Sequence, residues 1–243
     1  GSVADKETTK LPNSQTRLLQ ALIETGVELV IVNMTGSAVD LKWLDDTENV
    51  KAILQGWYPG AEGGTAIARV LFGDVNPSGK LPVTFYKDAE GLPSITDYAM
   101  KNRTYRYMTC EPLYPFGYGL SYTRYAYSDA EIVNQGTWTV AVSVTNTGDM
   151  EGEEIVEVYI KCLDSPNAVL NHSLCAFKRV RLKPGETKRV GLPVREKAFM
   201  VVDGNGEYKM EGRHFEIYVG GSQPDRKSRE LSGQGPVTLH LKL

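Results

Sequence analysis

The sequence predicts an α/β unit, a partial parallel-sheet α/β/α sandwich, followed by an all-β sandwich. Three observations carry that expectation. Apolar positions before residue 90 switch between helical and strand spacing. The stretch from Glu90 to Tyr127 is crowded with Tyr, Pro and Gly. Beyond it, apolar residues alternate with a period of two between turn signals. The 243 residues suffice for two ordinary domains. The expected bounds are 1–111 for the α/β unit, 112–127 for an aromatic connector and 128–243 for the β-sandwich.

Asn13 or Ser14 can cap a first helix through its side-chain oxygen. Leu18, Leu19, Leu22 and Ile23 fall on one face, and Gly26 supplies the left-handed stop. Val27 to Val32 is an apolar run of the kind buried in a parallel sheet, and Ala52 to Trp57 is a second strand. A second helix from about Ala61 turns Ile67, Val70 and Leu71 toward the sheet and ends at Gly73. After the turn Asn76-Pro77-Ser78-Gly79, Leu81 to Tyr86 is expected as a third strand. Strand, helix and strand in alternation imply a parallel, right-handed sheet. The unit opens on a helix with no strand before it, so the sheet is expected to be incomplete and to pair at its open edge, with a second copy of the chain as one partner (a homo-oligomer).

In the connector, Pro and Gly prevent regular structure while the rings of Leu113-Tyr114-Pro115-Phe116-Gly117-Tyr118-Gly119-Leu120-Ser121-Tyr122 supply buried area between domains. Strands are then expected at Trp138–Val144, Ile155–Ile160, Phe177–Leu182, Arg189–Leu192, Ala198–Val202, Tyr208–Met210, Phe215–Val219 and Val237–Leu241, separated by turns such as Lys183-Pro184-Gly185-Glu186. Short strands at this spacing indicate a fibronectin- or immunoglobulin-like sandwich.

Composition excludes several classes. Charged residues make up 23% with a net charge of -3, and no dense Lys/Arg run offers a nucleic-acid surface. No apolar run approaches the roughly 20 residues that span a membrane. Gly1-Ser2-Val3-Ala4 lacks the basic and apolar regions of a signal peptide. Cys110, Cys162 and Cys175 read as reduced thiols, although Cys162 and Cys175 could meet across strands. His172, His214 and His240 have no ligand-like spacing, so no metal and no cofactor are expected. Glycosylation sequons stand at Asn33, Asn102 and Asn171; Asn33 ends a buried strand, which makes that one a chance match.

Several motifs, in order, resemble glycoside hydrolase family 3. They are Trp57-Tyr58-Pro59-Gly60-Ala61-Glu62-Gly63-Gly64, Val70-Leu71-Phe72-Gly73-Asp74, Asn76-Pro77-Ser78-Gly79-Lys80-Leu81-Pro82-Val83-Thr84-Phe85, Arg103-Thr104-Tyr105-Arg106-Tyr107 and Tyr114 to Tyr122. Their order is similar to the family's second domain, a six-stranded α/β sandwich, running into its fibronectin-like third domain, and the Arg103–Tyr107 segment is closest to the bacterial β-xylosidase and β-glucosidase branch. The resemblance implies a retaining exo-β-glycosidase acting on a carbohydrate substrate of the plant oligosaccharide type, with two carboxyl groups on opposite sides of the sugar. It also implies a secreted or periplasmic parent. The family's nucleophilic Asp sits in an N-terminal barrel, which is therefore the implied partner of this chain. The family's acid/base Glu precedes an Asp-Arg pair and a Leu-Pro; Asp5-Lys6 and Leu11-Pro12 occupy those places, with Lys for Arg, and the Glu itself would fall at or before Gly1-Ser2. No catalytic residue is carried over, and the chain alone is expected to be inactive.

Candidates for the rim of the sugar site are Trp57, Tyr58, Arg103, Tyr105 and Tyr107. Trp57 and Tyr58 end a strand, where α/β sheets place ligands, so an aromatic there could stack on a sugar; core packing or docking onto the barrel is the alternative. Arg103, Tyr105 and Tyr107 either line the rim or fix the connector. Glu62 reads as a carboxylate complementing a helix start, and Gly60, Gly63 and Gly64 lack the spacing of a nucleotide loop. Two other functions share these folds. A carbohydrate-binding module would bind sugar without a partner domain, and a structural scaffold would only brace another domain.

Overall fold

A computed structural model describes residues 8–87, 92–94 and 96–243. Gly1 to Ala4, Asp5-Lys6 and Glu90, which carried expectations from the sequence, lie outside the described residues.

The α/β unit opens with α1 (Asn13–Glu24). Its N-cap position is Pro12, and neither Asn13 nor Ser14 caps it, because the helix begins at Asn13 itself and the N-cap makes no side-chain bond. Gly26 takes the left-handed conformation expected of it, with φ 72°, and its N–H closes onto Ile23 O at 3.0 Å. Strand β1 (Leu29–Asn33), a short helix α2 (Lys42–Asp45), β2 (Val50–Gln55) and α3 (Gly63–Leu71) follow. Strands β1 and β2 pair in parallel, from Val30 opposite Ala52 to Asn33 opposite Gln55. Glu62 stands at the N-cap position of α3 without a capping bond, so any contribution it makes there is through charge alone.

The expected third parallel strand does not form. Pro82 has no N–H to give a central ladder, and Leu81 to Tyr86 turns instead to the connector. Leu81 N–H donates to Tyr118 O (2.8 Å), Gly117 N–H to Leu81 O (2.8 Å), Phe85 N–H to Tyr114 O (2.9 Å) and Leu113 N–H to Phe85 O (2.8 Å). The contact is one antiparallel bridge, Phe85 with Tyr114. A small core of Val39, Leu41, Leu44, Phe85 and Leu113 gathers here, and Leu19 and Ile23 of α1 pack on it while Leu18 and Leu22 stay exposed.

The stretch leading into the connector is not wholly irregular: Thr104–Tyr107 forms a single turn of helix, α4. The second half is a two-sheet sandwich. Its strands are β3 (Tyr125–Asn134), β4 (Trp138–Asn146), β5 (Gly152–Cys162), β6 (Ser173–Leu182), β7 (Thr187–Val194), the two-residue β8 (Val201–Val202) and β9 (Tyr208–Lys209), β10 (His214–Gly220) and, after α5 (Arg226–Ser232), β11 (Val237–Lys242). One sheet has the order β11-β10-β5-β6 and the other β3-β4-β7, every neighbour antiparallel. Strand β3 was not expected, and the strand expected at Ala198–Val202 is realised only at Val201–Val202, since Ala198 and Phe199 end a 3-10 helix, Glu196–Phe199.

Alternation builds the core as the sequence dictates. Val140, Val142 and Val144 of β4, Val156, Val158 and Ile160 of β5, Val190, Leu192 and Val194 of β7, and Phe215, Ile217 and Val219 of β10 all point inward and are buried. Two inner faces of side chains interdigitating in this way are what hold a sandwich together. All three cysteines are free thiols, and burial pushes that of Cys175 up to about 12. Among the described residues no helix is long and apolar enough to cross a membrane.

Candidate functional site

The ends of β1 and β2 meet at the carboxyl edge of the small sheet. Asn33 Nδ2 donates to Gln55 Oε1 (2.6 Å) and to Thr35 Oγ1 (3.2 Å), and Gln55 Nε2 donates to Thr35 O (3.2 Å). Above this polar layer the chain after β2 kinks. Trp57 is held with φ 52°, a left-handed conformation that is costly for a bulky residue and persists only where the surroundings fix it. Its ring meets Phe85 edge-on at 6.2 Å. The kink throws Tyr58 outward, where it is 82% exposed. Its hydroxyl end lies so close over Gly36 that a Cβ there would overlap it. Asn33 is itself buried and bonded, in line with the reading of its sequon as chance.

Arg103, Tyr105 and Tyr107 are held by other partners. Arg103 Nη2 donates to the carbonyls of Ser94 (2.7 Å), Asp97 (2.9 Å) and Pro93 (3.3 Å), while its Nε is buried without a partner among the described residues. Tyr105 stacks on Phe116 with centroids 4.5 Å apart, meets Tyr159 edge-on, and accepts the Leu174 N–H on its hydroxyl at 2.9 Å. Burial raises its pKa. Tyr107 is half-buried, with the Arg106 guanidinium 5.5 Å over its ring. Asn171 fastens the same turn, its Nδ2 donating to Tyr105 O and Met108 O, both at 2.9 Å. The structure thus brings Trp57 and Tyr58 together at the sheet edge and sets Tyr105 against the β-sandwich.

A cleft of about 520 Å³ opens between this turn and the sandwich, with Tyr105, His172, Tyr218 and Gln223 among its lining residues. His172 Nε2 and Gln223 Oε1 are 2.6 Å apart, and Gln223 Nε2 donates to Phe116 O at 2.6 Å, so both side chains brace the connector. The cleft's Glu111 is paired with Lys87 (2.7 Å) and with Arg226, which holds its carboxyl below the usual range.

A second cluster was not among the expected sites. Among the described residues the buried carboxylates are Glu154 and Glu157 of β5. Tyr127 Oη donates to Glu154 Oε1 (2.6 Å), Tyr159 Oη donates to Glu157 Oε2 (2.9 Å), and Lys80 Nζ lies 3.6 Å from Glu154 Oε1 while donating to Gly221 O (2.8 Å). Burial raises both carboxyls despite Lys80 and the hydroxyls, that of Glu157 to about 8. A glycosidase pair needs carboxyls facing an open sugar site. These two are roofed by backbone: a Cβ on Gly117 would collide with Tyr159 and Glu157, and one on Gly221 with Glu154. The pair is a structural element of the seam. Its one legible signal is that Ile155 to Ile160 is nearly continuous in large residues, as a strand covered on both faces must be.

Residues 1–122 match the family model of the glycosyl hydrolase family 3 C-terminal domain, and residues 154–223 match that of the fibronectin type III-like domain. The chain is 40% identical over 232 residues to a xylan 1,4-β-xylosidase of Xylanibacter ruminicola, covering 94% of this chain and 26% of that one. It is 37% identical to a periplasmic β-glucosidase of Salmonella typhimurium, covering 86% and 29%. A solved β-glucosidase from Erythrobacter marinus superposes with a TM-score of 0.82 at 34% identity, over all of this chain and 31% of its own. The chain therefore spans about a quarter to a third of the length of these relatives.

Proposed function

The chain belongs to glycosyl hydrolase family 3, and on that premise we propose that it is the C-terminal part of a retaining exo-β-glycosidase, a β-xylosidase or β-glucosidase that releases terminal sugars from plant-type oligosaccharides. The observation that carries this reading is the pairing in one chain of the family's C-terminal domain with a fibronectin type III-like domain, shared with relatives that are named β-xylosidases and β-glucosidases. The nucleophile and the acid/base lie in the preceding part of the parent, and the carboxylates described above take no part in the chemistry.

In this reading the chain supplies one wall of the sugar site. Trp57 and Tyr58 are its rim: the strained kink holds an exposed ring at the carboxyl edge of the sheet, where it can lie against a sugar face. Arg103, Tyr105 and Tyr107 frame that wall from the connector, which fits the number of backbone groups that Arg103 and Asn171 bind. The open edge of the β1–β2 sheet is covered by the preceding part of the parent or, in the isolated chain, by a second copy.

The test is the parent protein on aryl β-xylosides and β-glucosides. Hydrolysis with retention at the anomeric carbon is expected. Substitution Tyr58→Ala should raise KM about threefold to tenfold with a smaller effect on kcat, since one lost stacking contact is worth roughly 0.5–1.5 kcal/mol. A parent inactive on both substrates would overturn the assignment, and an unchanged KM would remove Tyr58 from the rim.

A further inference from the structure

The seam between the two halves places two carboxylates around one cation. Glu154 and Glu157 come from β5 and Lys80 from the turn after α3; Gly221, just after β10, roofs Glu154, and Gly117 of the connector, with φ 78°, lies close over Tyr159 and Glu157. The other titratable groups that face the pair are Tyr127 and Tyr125 from β3, Tyr159 from β5 and Tyr105 from α4; Asp225 acts on Tyr159 and Glu153 on Tyr125. His172 meets the Tyr159 ring edge-on, and burial lowers its pKa, so it brings no second positive charge at neutral pH. Two full negative charges here would leave one uncompensated in a site shut off from water, which is far costlier than one carboxylate paired with Lys80.

We infer that Glu154, Glu157 and Lys80 form a proton-dependent latch that fastens the aromatic segment 114–122 to the β-sandwich, closed while one carboxyl holds a proton and loosened when both are ionised. The segment is well placed to respond. Its attachments to the first half include the backbone bonds at Leu81 and Phe85, Lys80 Nζ to Gly119 O (3.4 Å), Asn76 Oδ1 accepting from Ser121 Oγ and Tyr122 N–H (both 2.8 Å), Tyr114 Oη donating to Asp45 Oδ1 (2.6 Å) and Tyr122 Oη donating to Val70 O (2.9 Å). Its attachments to the sandwich are the Gly117 contact and Gln223 to Phe116 O. Ionising Glu157 acts directly on the former.

The sign follows from linkage. The docked carboxyl of Glu157 sits at about 8 against 4.5 when free, so the closed state binds the extra proton. The latch is at full strength below the free value and is lost as pH rises through the docked one. Opening grows by up to about tenfold per pH unit between those limits and levels off above them.

Hydrogen exchange of peptide 113–122 in the full chain, corrected for intrinsic base catalysis and referenced to β4, reads the latch. From pH 6 to 9 its protection should fall by about ten- to a hundredfold relative to β4. In Glu157→Gln, which keeps the carbonyl acceptor but cannot ionise, the profile should be flat. A wild-type ratio that does not change with pH, or a variant that falls as the wild type does, overturns the proposal. Should the variant fail to fold, carboxyl 13C titration of the wild type decides: one Glu titrating between pH 7 and 9 is expected, and completion of every Glu below pH 6 overturns it.

Discussion

Gly117 and Gly119 show how single residues fix the seam. A Cβ on Gly119 would run into the backbone carbonyl of Gly79, and one on Gly117 would strike Tyr159 while forcing a side chain onto a left-handed backbone. Backbone cannot yield as the end of a flexible side chain can, so Gly119→Ala is expected to cost about 1–3 kcal/mol in urea unfolding. Gly204→Ala, where a Cβ meets nothing within 4 Å, should stay within about 0.5 kcal/mol. Equal effects for the two would refute the close approach. At this scale the sequence was partly legible. The Gly-aromatic string announced a packed, irregular seam, and Trp57, read as the last residue of a strand, stands at a kink with its ring packed on the small core. The pairing of Lys80 with Glu154 and Glu157 was not legible, because 74 and 77 residues separate the cation from its carboxylates and nothing local links them.

The elements differ in how much they bury. Leu192 of β7 sits in the sandwich core, and Leu192→Ala should lose about 2–5 kcal/mol by lost burial and a cavity. Leu18 of α1, mostly exposed, should tolerate Ala within about 0.5 kcal/mol. Thermal or urea unfolding of both variants checks the contrast, and a large loss at Leu18 would mean that the exposed stripe of α1 is covered in this chain. Strands with clean alternation, such as Trp138 to Val144, were readable because both their faces follow one rule. Strand β3 was not: its pairing slips between Ser128 and Glu131, with Asp129 at φ 50°, so alternation breaks midway and its start merges with the aromatic string. Leu81 to Tyr86 has strand composition, yet Pro82 and the competing carbonyls of the connector settle its pairing.

The whole molecule joins a large sandwich core to a small one. Among the described residues the sandwich buries fifteen hydrophobic residues in one cluster, and the cluster of the α/β unit and connector has five, around a sheet of two strands. Both β1 and β2 are edges, and Val27 and Val30 are half-exposed beside them. The isolated chain is therefore expected to associate as concentration rises in sedimentation velocity, whereas a monomer at high concentration would mean that these edges are already blunted. The relatives are three to four times as long as this chain, and in the proposed reading the chemistry lies elsewhere in the parent. The most direct test is hydrolysis of chromogenic aryl β-xylosides and β-glucosides by the purified chain alone. No turnover is predicted, because the buried carboxylates are roofed by glycine backbone and, in the proposed reading, the nucleophile and the acid/base belong to the preceding part of the parent. Turnover that follows the chain through purification would put a working carboxylate pair inside these residues and contradict the account.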